Sequence, residues 1–96
     1  MFVNIVQFPK VKADKDAEFR QWFSDSNDAY AKHAGFIRRL LLRPRDGGNY
    51  VAFVEHESHE TFMAMHTSST QAELRRRVAP FFDGNPQPAF YDVVST

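Results

Sequence analysis

The order of apolar and polar positions along the chain predicts seven secondary-structure segments. Residues 2–8 are mostly β-branched or aromatic and end before Pro9, which is typical of a strand. The next segment has aromatic residues at helical spacing, starts after a capping residue at Asp14 and stops at Gly35, which predicts an amphipathic helix. The same reasoning predicts strands over 36–44, 50–57 and 89–94, and short helices over 59–67 and 71–82 that are capped by Ser58 and Thr70.

The predicted order is β-α-β-β-α-β, with the second helical region divided into two short helices. This order favours an α+β fold of the ferredoxin-like kind, in which helices cover one face of a four-stranded antiparallel sheet. The first strand carries Phe2, Val6 and Phe8 on one face, and also Val3 and Ile5 on the other. Because helices cover only one face, we expect a second copy of the chain to bury the other face and form a homodimer.

Length and composition narrow the class of protein. A chain of 96 residues predicts a single domain over 1–96. The 12 basic residues balance the 12 acidic ones, which argues against general binding to nucleic acid or to an anionic membrane. The lack of Cys excludes thiol nucleophiles, thiolate metal sites and disulfides. With no signal-peptide pattern and no long apolar run, we expect a cytoplasmic protein.

RNA-recognition modules share this order of elements, so nucleic-acid binding has to be considered separately. Those modules place aromatic residues two positions apart on the third strand, where both stack bases from one face. Here Tyr50 and Phe53 are three positions apart and are expected to point to opposite faces. The first strand also lacks a pair of platform aromatics, and we therefore expect no nucleic-acid partner.

Three of the chain's four histidines are close in sequence, at His56, His59 and His66. His56 and His59 are three positions apart and straddle the predicted boundary between strand and helix, so they do not form the HExxH zinc motif. His59 and His66 would lie about 10 Å apart along a helix, which is too far to share one ion. We expect no metal site.

A cavity between the sheet and the helices is another setting for these histidines. Period-two alternation gives His56 the same face as Ala52 and Val54, at the end of the third strand and beside the next helix. On that helix, Phe62 and His66 are four positions apart and lie on one side. Apolar walls with one or two imidazoles predict a site for a flat, weakly acidic organic molecule.

Four segments span nearly the whole chain: "AEFRQWF", "HAGFIRRLLLRP", "YVAFVEHESHETFMAMH" and "QAELRRRVAPFFDGNPQPAFYDV". In their order, their spacing and the Gly35–Phe36 pair, they resemble the antibiotic biosynthesis monooxygenase (ABM) family of dimeric α/β-barrel proteins. That family includes cofactor-independent oxygenases of polyketide anthrones and quinols, haem-degrading enzymes, and enzymes that process quorum signals. The resemblance implies the fold and a dimer, and it leaves the reaction open.

The resemblance also implies roles for individual residues. Compared with the anthrone oxygenases, His56 stands where they carry the Trp of a Trp-Glu-Ser segment, and Phe62 replaces a Tyr that contacts substrate. Arg75 matches an arginine that handles the oxygenated intermediate. Compared with the quorum-signal members, His66 matches the first His of a His-x-Thr-Thr-Pro-His segment, and Gln71 stands at the second.

Compared with the haem degraders, Gln7 aligns with the catalytic Asn, Met65 with the Trp that contacts haem, and Leu74 with the iron-ligating His. None of these three positions keeps the residue of the haem degraders. Haem is therefore the alternative cofactor, and we expect the protein to use none.

Together these observations predict a cofactor-independent monooxygenase of a small aromatic compound that is quinol- or anthrone-like. A base removes an acidic proton, and the resulting electron-rich anion reduces O₂ without metal or flavin. We favour His56 as the base, with His66 as the other candidate and Arg75 as the electrostatic partner. The residues expected to border the substrate are Gln7, Trp22, Phe23, Phe62, Met65 and Phe81. Alternatives are a haem-binding or haem-degrading protein, an enzyme of the quorum-signal type, and a non-enzymatic dimeric ligand-binding protein.

Overall fold

The secondary structure of the computed structural model follows the predicted order, and the structure describes all residues from 1 to 96. Four strands and three α-helices are accompanied by short 3-10 turns before the first helix (Ala13–Lys15) and after the last (Ala79–Phe81). The strands are β1 (Phe2–Gln7), β2 (Phe36–Leu42), β3 (Val51–His56) and β4 (Gln87–Asp92). The helices are α1 (Asp16–Tyr30), α2 (His59–His66) and α3 (Ser69–Val78).

The strands form one antiparallel sheet in the order β2-β3-β1-β4, with β1 and β3 at its centre. The helices pack on one face of this sheet, around a single cluster of buried apolar side chains. This is the predicted ferredoxin-like α+β sandwich, and the fold class is confirmed. None of the helices has the length and apolar character that crossing a membrane requires.

The predicted capping residue is correct for one of the three helices. Ser58 caps α2 as predicted, and its side chain accepts a hydrogen bond of 3.1 Å from the backbone N–H of Thr61. The cap of α3 is Ser68 and not the predicted Thr70, because the Ser68 hydroxyl accepts a backbone N–H of the first turn. Asp14 was predicted to cap α1 and lies instead inside the preceding 3-10 turn.

The boundaries of several elements also differ from the prediction: β2 ends at Leu42 and not at residue 44, and β4 spans Gln87–Asp92 and not 89–94. Helix α3 was predicted to continue to Phe82 and stops at Val78, because Pro80 lacks the N–H that a further helical turn needs. Strand β3 begins at Val51 and leaves out Tyr50. The Tyr50 carbonyl nevertheless accepts a hydrogen bond from the N–H of Phe8 at 3.0 Å, so pairing continues past the strand ends.

The inner face of the sheet, which the helices cover, contains polar groups among its apolar ones. On β1 the inward residues alternate as Phe2, Asn4 and Val6, and Asn4 is buried. On β2 a β-bulge between Phe36 and Arg38 shifts the alternation by one residue. In consequence Arg39 is turned inward and is also buried.

Helix α1 supplies most of the aromatic core. Its buried residues recur at helical spacing, at Phe19, Trp22, Phe23, Ser26 and Tyr30. The Trp22 indole N–H donates a hydrogen bond of 3.0 Å to a backbone carbonyl of α3. Because that donor would otherwise be unpaired in the core, this bond fixes the distance between α1 and α3.

The close approach of the β2 start to α2 depends on Gly35. Its φ is +83°, and a Cβ at this position would lie 2.4 Å from the Cβ of Thr61. The Gly35 carbonyl accepts a hydrogen bond of 2.8 Å from the N–H of Glu57, just before α2. A glycine is therefore required both for its backbone angle and for the space next to Thr61.

Candidate functional site

A cavity of about 320 Å³ lies between the inner face of the sheet and the helices. This size falls within the range of small-molecule sites. Much of its wall is apolar and includes Phe8, Trp22, Phe62 and Phe82. The polar side chains on the wall are Asn4, Tyr30, Arg39, His66, Gln71, Arg75 and Asn85. No Asp or Glu is among the lining residues, so every fully charged group that faces the cavity is positive.

The structure brings five of the predicted site residues together around this cavity: Trp22, Phe62, Met65, His66 and Arg75. They come from α1, α2 and α3, which are held together by the apolar core. Side chains of all three helices therefore meet at this cavity.

His66 is half-buried at the cavity wall. Its imidazole stacks on the Phe62 ring, with ring centroids 5.3 Å apart and an angle of 19° between the planes. Burial lowers the pKa of His66, and the positive charge of Arg75 lowers it further. An imidazole with a lowered pKa is neutral at pH 7 and can accept a proton from a molecule in the cavity.

His56 lies at the end of β3 on the inner face, near Phe62, but the cavity does not extend to its ring. The side chain is 0% exposed. Nδ1 is 3.0 Å from the Thr61 hydroxyl and Nε2 is 3.3 Å from the Met65 sulfur, so both nitrogens face protein atoms. Burial lowers the pKa of His56, the charge of His33 lowers it further, and Glu57 opposes the shift. The imidazole has no nitrogen available to a molecule in the cavity.

Three other predicted site residues also lie outside the cavity wall. Gln7 is exposed on the opposite face of the sheet, because it alternates with the inward residues of β1. Phe23 is buried beside the cavity and packs under the guanidinium of Arg39, 4.0 Å from it. Phe81 belongs to the 3-10 turn after α3, and its neighbour Phe82 lines the cavity in its place.

Sequence reasoning missed the polar residues on the sheet side of the cavity. Asn4 is 5% exposed, and its Oδ1 is a buried side-chain atom without a hydrogen-bond partner in the protein. A buried, unpaired amide oxygen is uncommon in proteins and indicates a partner from outside the chain. The signal was available in the sequence, because Asn4 shares the alternation of Phe2 and Val6 in an otherwise apolar strand.

Arg39 was missed as well. Only 9% exposed, it places its guanidinium over the rings of Phe23, Trp22 and Tyr30 at 4.0, 5.5 and 5.0 Å. Its Nη1 donates to the hydroxyl of Ser26 and, at 3.0 Å, to Oδ1 of Asn27. Burial lowers the pKa of Arg39 to about 10, so it stays positively charged at pH 7.

The positions of the donor atoms bear on whether the chain could hold a metal ion or a haem. The structure contains no group of three or more Asp, Glu or His side chains arranged to hold a metal ion. The resemblance described above places Leu74 at the position of the iron ligand of the haem-degrading enzymes, and Leu74 is a buried core residue without a donor atom. The residues present at this helix position do not fit a haem ligated from it.

Comparison with known proteins identifies the family. A family model described as antibiotic biosynthesis monooxygenase matches residues 1–77. No curated protein matches the chain. Two solved structures named for the same family are similar: one from Nitrosomonas europaea (TM-score 0.84, 20% identity, 99% of this chain and 100% of that chain covered) and one from Caulobacter crescentus (TM-score 0.83, 22% identity, 98% and 91% covered).

A third similar structure is SnoaB from Streptomyces nogalater, a cofactor-independent oxygenase, with TM-score 0.76, 22% identity, and 99% of this chain and 92% of that chain covered. At these identities the structural likeness supports the fold, while the family model covers most of the chain. The chain belongs to the antibiotic biosynthesis monooxygenase family.

Proposed function

We propose that the protein is a cofactor-independent monooxygenase that oxidises a small aromatic, anthrone- or quinol-like compound inside the cavity. The observation that carries this proposal is that His66, whose pKa is lowered by burial, and the cation Arg75 both lie on the wall of a largely apolar cavity. The reaction needs a base, a positive group near developing negative charge, and a site that excludes water. SnoaB, with a similar fold, is a cofactor-independent oxygenase and makes this reaction class reasonable.

For an anthrone, the chemistry balances without a cofactor. His66 takes one proton from the CH₂ group and leaves an enolate, which is electron-rich enough to transfer an electron to O₂. One oxygen atom then becomes the new carbonyl of the quinone. The other leaves as water with the two hydrogens of the CH₂ group. Arg75 stabilises the enolate and the oxygenated anion that follows from it.

We propose His66 as the base, although the sequence-based preference was His56. His66 lines the cavity, whereas both nitrogens of His56 contact Thr61 and Met65. A general base must reach the proton that it removes, and this geometry supports His66 as the proposed base.

The proposal is tested by oxygen uptake with 1,8-dihydroxyanthrone, in protein dialysed against a chelator and shown by absorbance to contain no flavin or haem. We expect the rate to exceed the protein-free oxidation and to yield the anthraquinone. His66→Gln should remove most of this excess, and His59→Gln serves as the matched control because His59 lies on the same helix outside the cavity lining. A rate equal to the protein-free oxidation, with anthrones and quinols alike, would contradict the proposal.

We also propose that the functional form is a homodimer in which two sheets pack through their outer faces. Leu40, Leu42 and Tyr91 lie on that helix-free face and are 42%, 44% and 51% exposed, which is high for large apolar side chains. Light scattering should give twice the chain mass of 11.1 kDa. Leu40→Glu should shift the protein towards the monomer, while Val94→Glu near the chain end should not. A monomeric wild-type protein at micromolar concentration would contradict this arrangement.

A further inference from the structure

The arginines of β2 and α3 fall into two groups according to the side that they face. Arg38 on β2 pairs with Glu55 at 3.0 Å on the outer face, and Arg76 and Arg77 on α3 pair with Glu73 and Asp25. The cavity-facing arginines of the same two elements, Arg39 and Arg75, have no carboxylate partner. On these two elements, therefore, the outward arginines are paired with carboxylates, and the two on the cavity wall have no counter-charge.

For Arg39 this arrangement is energetically unusual. A buried cation is normally accompanied by a carboxylate, because desolvation of an unpaired charge is costly. The aromatic rings around Arg39 offset part of that cost and supply no negative charge. A bound ligand with a negative charge would supply the counter-charge that the protein lacks here.

The hydrogen bonds of Arg39 leave one side of its guanidinium open. Both side-chain bonds come from Nη1, to Ser26 and Asn27, and Nε and Nη2 have no partner in the protein. Neither Nε nor Nη2 is among the buried unpaired atoms, which is consistent with their facing the cavity that Arg39 lines. Asn27 also donates from Nδ2 to the Arg39 backbone carbonyl at 3.1 Å, which fixes the orientation of the side chain. The Nε–Nη2 edge is the fork that binds a carboxylate through two parallel hydrogen bonds.

The second arginine lies on the same side of the cavity. Tyr30 joins the two, because the positive charges of Arg39 and Arg75 both act on its hydroxyl and that hydroxyl donates to Gln71 of α3. Asn4 lines the same space, and its buried amide oxygen has no hydrogen-bond partner in the protein. The site thus offers two cations and aromatic walls.

We propose that the cavity binds a planar aromatic carboxylate, with the carboxylate held by the Nε–Nη2 fork of Arg39 and the charge further balanced by Arg75. The proposal rests on this cavity being the ligand site of the proposed function. It adds that the aromatic substrate of the proposed function carries an acid group. That group lies at the end of the molecule that is deepest among α1, β2 and α3.

The test compares two probes of the same shape, 2-naphthoate and the uncharged 2-naphthamide, by titration calorimetry. We expect the acid to bind at least about tenfold more tightly than the amide, because charge-assisted hydrogen bonds are stronger than neutral ones. Trp22 is the only Trp of the chain and lines the cavity, so its single indole N–H signal in an NMR spectrum should shift in the same titration.

Variants then assign the effect to Arg39. Arg39→Met should lower the affinity for the acid at least about tenfold and leave that for the amide within about twofold. Arg39→Lys keeps the positive charge without the fork, and its affinity for the acid should lie between those of the wild type and Arg39→Met. Arg38→Met is the matched control, because Arg38 is next to Arg39 in the sequence but faces outward and pairs with Glu55. This variant should bind both probes like the wild type.

Equal affinity for acid and amide would overturn the proposal, as would an equal loss for both probes in Arg39→Met, which indicates a structural role alone. Failure of naphthoate to bind at millimolar concentration would overturn it as well. If Arg39→Met does not fold, Arg75→Met and Arg39→Lys make the same comparison. The anthrone of the oxygen-uptake assay carries no carboxylate, so failure of that assay leaves this proposal standing, and failure of naphthoate binding leaves the oxygenase proposal standing.

Discussion

Phe62 lies between two histidines that differ in almost every respect except this shared neighbour. The His56 ring meets Phe62 edge-on at 5.7 Å, and the His66 ring stacks on it at 5.3 Å. His56 comes from the end of a strand and is fully buried with Thr61 and Met65 as partners. His66 comes from a helix and borders the cavity. Burial lowers the pKa of both, so a lowered pKa alone does not distinguish a catalytic histidine from a structural one.

The distinction comes from what each ring contacts. His56 joins the end of β3 to the capping box of α2, because the Thr61 hydroxyl that it contacts also donates to the Ser58 carbonyl at 3.0 Å. This network stabilises the fold at the strand–helix junction. His66 has no such network and faces the space where a ligand would lie. We therefore propose that His56 stabilises the fold and that His66 acts in the reaction.

The largest expected effect is on turnover. His66→Gln removes the proposed base and should lower kcat/KM for the anthrone by at least about 100-fold, the usual contribution of general base catalysis. Its melting temperature should stay close to that of the wild type, because the ring is only half-buried. Normal turnover in His66→Gln, together with inactive but folded His56→Phe, would reverse the assignment of the two histidines.

The second effect is on stability. His56→Ala should lower the free energy of unfolding by about 3 kcal/mol, because it leaves a cavity in the core and removes a partner of Thr61. Urea denaturation at one fixed protein concentration measures this value, since a dimer's stability depends on concentration. His66→Ala is the matched truncation and should lose clearly less. Equal losses of unfolding free energy in the two variants would show that the greater burial of His56 does not add to stability.

Sequence patterns predicted the fold and the surroundings of His56 well. The order of elements followed from apolar spacing, and period-two alternation placed His56 on the inner face near Phe62. Whether the cavity reaches that ring depends on Thr61 and Met65, which close over it from α2. Contacts of that kind arise from tertiary packing and have no local sequence signal.

The inward polar residues illustrate two other limits of sequence reasoning. Gln7 was chosen by alignment to a relative, although alternation from Phe2 and Val6 points to Asn4. For Arg39 no such rule was available, because the bulge after Phe36 changes which residues of β2 face inward. A bulge adds one residue to the strand and reverses the alternation beyond it, and its presence cannot be derived from hydrophobic pattern alone.

A smaller effect on stability is expected when the hydroxyl of Thr61, which contacts His56, is removed. Thr61→Val keeps the side-chain shape that fits against Gly35 and removes the hydroxyl that contacts His56 and the Ser58 backbone. We expect a loss of about 1 kcal/mol in the free energy of unfolding, with turnover retained. Thr67→Val at the C-terminal cap of the same helix removes an exposed hydroxyl and should have little effect. A Thr61→Val protein with wild-type stability would show that the His56 network contributes nothing.

The smallest effect is the pH dependence of stability. A histidine whose pKa is lowered by folding binds fewer protons in the folded protein than in the unfolded chain, where its pKa is about 6.5. The contribution of His56 and His66 is therefore fully present above that value and is lost as the pH falls from about 6.5 towards their folded pKa. Urea midpoints measured from about pH 7.5 down to about pH 6 should decrease, and His56→Phe and His66→Phe should each decrease less steeply, because each removes one of the two groups. The change is small because both histidines are only partly protonated in the unfolded chain over this range. Identical pH profiles for the wild type and both variants would show that neither imidazole is held neutral by the fold, and His66 would then lack the property that a base at pH 7 requires.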